Sequence, residues 1–166
     1  MLNSSIVPEN ATGIGDIFKQ LNYKADLLGQ FVGLYYGYMQ ECHDYGLEQS
    51  INMVEIHTLS AIADNPGINI SDLALLRHRT KGAISQTIKK LEAKGYVTKK
   101  TSEHNSKVVM LFPSEEGKAL DLAHKQFDAM EVSKTFDDLM RQGCTAEQLD
   151  VFFFVISKYI SLFLEE

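Results

Sequence analysis

Apolar residues recur at helical spacing from Ile14 through Ile17, Phe18, Leu21, Leu28, Phe31, Val32, Tyr35, Tyr38 and Met39 to Cys42. That spacing predicts one amphipathic helix of about thirty residues, roughly 45 Å long at 1.5 Å per residue. Its aromatic-rich stripe is longer than the rest of so small a chain can cover, which predicts burial against a second copy. The polar segment HDYGLEQS reads as a turn. Met53, Ile56, Leu59, Ala61 and Ile62 continue as a shorter helix that stops at the Pro-Gly breaker of DNPG. Asn69 is placed to cap the brief helix SDLALLR, with Asp72 in its first turn. Thr80 caps another helix from Lys81 to about Lys94, where Gly95 ends it.

The period then changes from 3.6 to 2. Tyr96–Lys100 and Lys107–Phe112 read as two strands joined by the polar tip SEHNS. Ser114 caps a long helix carrying Leu120, Ala123, Phe127, Met130 and Leu139, and Gly143 stops it. Thr145-Ala146-Glu147-Gln148 is a capping-box pattern opening a last helix with Leu149, Phe152, Phe153, Ile156, Tyr159, Ile160 and Phe163. The predicted fold is mainly α with a small β-hairpin: two short helices joined by a tight turn, then a hairpin, make a winged helix-turn-helix between long N- and C-terminal helices.

Composition narrows the function. The chain has 166 residues, 45% apolar and 23% charged, enough for one globular domain and too apolar to be disordered. Cys42 and Cys144 are its only cysteines, so no disulfide framework and no four-thiolate zinc site is expected. No secretory signal is visible at MLNSSIVPEN. The most apolar stretch, Val151 to Leu164, is short for a membrane span and contains Lys158. A cytoplasmic protein without membrane contact is therefore expected. Charge is unevenly spread. From Arg77 to Lys107 nine basic residues face only Glu92 and Glu103, a local charge of +7, while the remainder carries −13 and the chain as a whole −6. A basic module in an acidic body is the electrostatic footprint of nucleic-acid binding.

The segment TKGAISQTIKKLEAKGYV carries the most information. On a helix opening after Thr80, Ile84, Ile88 and Leu91 share one face, and Lys81, Gly82, Ser85, Gln86 and Lys89 share the other. The second face suits the major groove of double-stranded DNA: small residues allow close approach, Ser85 and Gln86 can meet base edges, and Lys81 and Lys89 can meet phosphates. Gln86 is the candidate for bidentate readout of adenine.

With this segment, the long first helix and the LFPSEEG that follows the hairpin, the chain resembles the MarR family of winged helix-turn-helix transcriptional regulators. The resemblance extends over nearly the whole chain, as one domain at 1–166. It implies a homodimer on a pseudo-palindromic operator, with dimerisation helices at 14–45 and 114–164 and the winged lobe at 50–112. The chain departs from the family at two places. Asn105-Ser106-Lys107 stands where the wing commonly reads Asp-Arg-Arg, so the minor-groove arginine falls on Ser106, and Lys100 and Lys107 are left to hold phosphates. Arg77-His78-Arg79 occupies a turn that is usually small or apolar, where the arginines either contact phosphates or pair with acids of the body.

The resemblance also implies an effector in the crevice between dimer helices and lobe, with small aromatic or phenolic acids frequent in the family. Tyr35, Tyr38, Met39, Met53, His57 and His124 are the residues placed to line it. The bland alternative is that these Tyr and Met residues are core. His57, with His124 and Asp128 four residues apart, is similar to the zinc-sensing branch, and Glu41, Cys42 or His43 is a candidate fourth ligand. Ile56 stands where that branch has a glutamate. A peroxide-sensing role for Cys42 is disfavoured by Glu41 and Asp44 beside it.

A second class of function is a winged-helix protein–protein adaptor without DNA binding, supported by the altered wing and the net charge. An enzyme finds no support: the sequence has no Gly-rich phosphate loop, no Gly-x-Ser-x-Gly elbow and no His-Glu-x-x-His.

Overall fold

The computed structural model describes residues 13–46, 50–101 and 108–164. Its first helix, α1 (Ile14–Gln40), is shorter than the spacing predicts. Cys42 leaves the helix and opens β1 (Cys42–Asp44), which pairs antiparallel with β2 (Ser50–Asn52), Cys42 opposite Asn52 and His43 opposite Ile51. The expected turn is thus a small ribbon, with Tyr45 buried at its bend. Three-residue strands are too short to display a period of two, so the sequence pattern does not reveal them.

Next come α2 (Met53–Asp64), β3 (Ile68–Asn69), α3 (Ile70–Leu76) and α4 (Lys81–Ala93). β4 (Val97–Thr101), β5 (Val109–Pro113), α5 (Glu115–Arg141) and α6 (Ala146–Leu164) complete the chain. The wing has a third strand absent from the sequence reading, because β3 pairs with β5 to give the order β3-β5-β4.

The predicted caps form: Asn69 Oδ1 accepts from the Ser71 and Asp72 N–H groups, Thr80 Oγ1 from Ala83, and Ser114 Oγ from Gly117. A further cap, not read from the sequence, opens α2, where Asn52 Oδ1 accepts from the Glu55 N–H at 2.9 Å. Thr145 and Gln148 bond reciprocally, at 2.9 and 3.3 Å, as a capping box requires. At the end of α4 the Tyr96 N–H reaches the Leu91 carbonyl and the Gly95 N–H the Glu92 carbonyl, a Schellman motif made possible by Gly95 at φ +79°.

One core holds the lobe together. Ile51, Ile56, Leu59, Ile62, Leu73, Ile88, Leu91, Val97, Leu111 and Leu120 are essentially inaccessible, each such side chain contributing about 1.5–3 kcal/mol on burial. α5 joins this core through Leu120, with Ala123 and Phe127 packed against it, and α1 reaches it only through Tyr38 and Met39. Elsewhere α1 buries nothing and α6 buries only Leu149, leaving Phe31, Val32, Phe152, Phe153 and Tyr159 about half exposed. Among the described residues no helix is long and apolar enough to cross a membrane.

Candidate nucleic-acid interface

α4 divides as its sequence predicts. Ile84, Ile88 and Leu91 are buried at 2% exposure or less, while Lys81, Gly82, Gln86 and Lys89 are exposed and Ser85 is half-buried. Among the described residues Lys81 and Lys89 form no ion pair with a carboxylate. The other lysines are held more closely: Lys94 lies 2.8 Å and Lys90 3.5 Å from the buried carboxylate of Glu55, and Lys99 lies 2.6 Å from Glu92. Lys100 on β4 sits 5.1 Å from the Phe112 ring centre. Asn105, Ser106 and Lys107 fall outside the described residues.

The turn between α3 and α4 is tight, with His78 in a left-handed conformation at φ +48°. Arg77 is half-buried, and burial together with the neighbouring Arg79 charge lowers its pKa. Neither arginine pairs with an acid among the described residues, so the alternative of docking onto the acidic body is not realised there.

A second cluster lies where α1, the β1–β2 ribbon, α2 and α5 meet. The His57 and His124 rings stand 5.0 Å apart, edge to face, and Tyr45 packs edge-on against His124 at 5.2 Å. His43 bridges Tyr38 at 5.2 Å and Phe127 at 6.1 Å. His124 Nδ1 is 3.3 Å from Asp128 Oδ1, yet the two are not aligned as a hydrogen bond, so Nδ1 is buried without a partner, as is His43 Nε2. Burial lowers the pKa of His57, helped by the His124 and Arg77 charges and opposed by Asp128. Burial lowers that of His124 as well, against the pull of Asp128 and Asp121. Tyr45 is pushed up to about 12 by burial, then by Asp128.

Residues 49–107 match the sequence model of the MarR family. Over these residues the chain is similar to the MarR family. Two relatives from Bacillus subtilis (strain 168) match part of the chain, both uncharacterized HTH-type transcriptional regulators. YhjH is 31% identical over 84 residues, covering 51% of this chain and 48% of YhjH; YybA is 40% identical over 60 residues, covering 36% and 40%. The chain thus spans less than half the length of either relative. Among solved structures, Streptococcus pneumoniae FabT in complex with DNA shares the fold at a TM-score of 0.64, with 23% identity over 89% of this chain and 97% of FabT. Lactococcus lactis ZitR, a zinc-responsive MarR family member, does so at 0.61, with 17% identity over 88% and 97%.

Within this MarR-type fold the residues expected to line an effector crevice separate. Tyr38, His57 and His124 come together, and Met39 is half-buried beside the core. Tyr35 lies at the outer edge, half exposed and stacked on Phe31. Met53 belongs to the core, its Sδ accepting from the Tyr45 hydroxyl at 3.4 Å. Sequence reasoning missed Tyr45 as a member of the cluster and raised His43 only as a spare ligand, because both lie on the ribbon that it read as a turn. His57, His124 and Asp128 bring potential ligand atoms within 4.8 Å of one another, and Glu41 is not part of that group.

Proposed function

We propose that this protein is a sequence-specific DNA-binding transcriptional regulator, a homodimer on a pseudo-palindromic operator, whose affinity a small molecule adjusts. The observation that carries this reading is the division of α4. Its apolar face is locked into the lobe, so Lys81, Gly82, Ser85, Gln86 and Lys89 are presented outward on a rigid helix, with Thr80 capping the end that enters a major groove. Gln86 reads a base edge; Lys81, Lys89 and Lys100, with Asn105, Ser106 and Lys107 of the wing, position the backbone. Such a regulator acts on DNA in the cytoplasm and carries out no catalysis.

The dimer rests on the unburied faces of α1 and α6. Between them runs a groove of about 540 Å³ lined by Leu21, Lys24, Ala25, Leu28, Gly29, Val32 and Tyr159. Apolar surface of this extent is favourable only when covered, and a second copy covers it while setting the two α4 helices roughly 34–36 Å apart. A phenolic or aromatic effector fits the cluster of Tyr38, His43, Tyr45, His57 and His124, where buried nitrogens lack partners. An effector works there only by binding one spacing of the dimer better than another.

The test is binding of the purified protein to the DNA upstream of its own gene, followed by fluorescence anisotropy across a salt series. Six to ten phosphate contacts predict a fall in affinity of roughly 10³–10⁵ between 50 and 200 mM salt. A flat, weak response on genomic DNA fragments overturns the reading in favour of a protein–protein adaptor.

Zinc is a second reading, favoured by the group of His57, His124 and Asp128. Three ligands leave one position of a tetrahedron for a further donor or water, and Glu41 lies outside the group. Competition against a zinc chelator, with His124→Ala as control, separates this from the organic effector.

A further inference from the structure

Glu55 stands in the first turn of α2, in the core of the lobe, yet its carboxylate is the partner of Lys90 on α4 and of Lys94, the residue that caps the end of α4. Only 5% of the residue is exposed. Its own N–H is fixed by Asn52 Oδ1, and Lys94 Nζ also lies 3.5 Å from the Ser50 carbonyl oxygen. A carboxylate deprived of water is stable only with a cation held beside it. Lys94, at 2.8 Å and two-thirds buried along its side chain, is that cation, and Lys90 adds a looser contact at 3.5 Å from an exposed stem.

Among the described residues, the carboxylate that lies within the basic module behaves differently. Glu92 is well exposed, so water can replace Lys99 if a phosphate competes for it, and such exposed pairs are weak. Water cannot replace Lys94 at Glu55 without entering the core. Glu55 therefore holds Lys94 against a polyanion and competes with it for the more exposed Lys90, whereas Glu92 yields Lys99.

We propose that Glu55 is a specificity-determining residue of DNA binding: it holds Lys94, and less firmly Lys90, back from phosphates, so that α4 meets DNA through the outward face that carries Gln86 and Lys89 rather than through its C-terminal end. Sequence-blind attraction grows with every lysine that reaches a phosphate, whereas base readout does not. Holding two lysines back lowers affinity for any duplex while leaving the readout face intact. This rests on the DNA-binding reading above.

The experiment compares the full-length protein with its Glu55→Gln and Lys90→Met variants, measuring the slope of log affinity against log salt on scrambled duplex and on the DNA upstream of its own gene. Glu55→Gln removes the charge and keeps the shape. Its slope on scrambled duplex is expected to steepen by about 0.9 for each lysine released to a phosphate, with a several-fold gain in scrambled-DNA affinity and a smaller preference for the specific site. Lys90→Met alone is expected to lower the slope by clearly less than the roughly 0.9 of a free lysine, since Glu55 competes for that charge. In the Glu55→Gln background the same change should remove about one unit.

A folded Glu55→Gln protein with an unchanged slope overturns the proposal and shows a merely structural acid. A slope lowered by the full value of a free lysine, roughly 0.9, in Lys90→Met alone also overturns it, and this arm decides the matter if Glu55→Gln does not fold. Absence of salt-dependent binding by the unsubstituted protein overturns the DNA-binding reading itself. Binding that persists while Glu55→Gln leaves the slope unmoved overturns only the role given to Glu55.

Discussion

Gly117 and Tyr96 meet backbone to backbone: a Cβ on Gly117 would overlap the Tyr96 carbonyl oxygen, which already accepts the Ser114 N–H at 2.9 Å. Tyr96 follows the Schellman turn of α4, and Ser114 caps α5. This contact therefore joins the outward-facing helix α4 to α5. Gly117→Ala must push α5 away from α4. Overpacking of this kind costs about 1–3 kcal/mol, and each kcal/mol lowers Tm by roughly 2–4 °C in a chain of this size. Calorimetry checks the loss; an unchanged Tm would mean that the joint gives way without strain.

Half-buried His57 and buried His124 make stability depend on pH. His57 and His124 have folded pKa values below the ordinary 6.5, through burial. Above that value both folded and unfolded chains are neutral at these sites, and the stabilisation is complete. As pH falls below 6.5, the unfolded chain takes up protons that the folded one refuses, and stability declines until the folded pKa values are passed. Tm should thus fall as pH drops below 6.5. His124→Gln should show a shallower drop over the same window, and parallel curves for the two proteins would refute the assignment.

Gln86 and Lys89 share the exposed face of α4 but are given different work. Gln86→Ala should cost about 1–3 kcal/mol on the specific site and relax base preference at one position. Lys89→Ala should weaken specific and scrambled duplexes alike and reduce the salt slope by about one. Titrations of both DNAs with each variant separate the roles, and an equal loss of preference in the two variants refutes them.

The proposed burial of α1 and α6 against a second copy predicts a stability that depends on concentration. Dilution should lower Tm. Tyr159→Glu or Leu28→Glu, each placing a charge in the groove between these helices, should shift the protein to monomer in sedimentation. A monomeric unsubstituted protein at micromolar concentration would exclude the dimer.

The legible parts of the chain are those with local causes. Thr80, Ser114 and the Thr145–Gln148 box bond groups at most three residues away, so their roles can be read before anything is packed. Ile84, Ile88 and Leu91 share a face by helical period alone, and the face opposite follows from them. Tertiary structure decided the rest, because it depends on distances between residues far apart in sequence. Period cannot reveal β3 when its two residues are strand only through β5, nor the ribbon that carries His43 and Tyr45 to His57 and His124. Charge summed along the chain counted Lys90 and Lys94 among the free cations. Only packing of α2 on α4 placed a carboxylate from residue 55 beside lysines 35 and 39 positions later, where the absence of water makes that pairing hold.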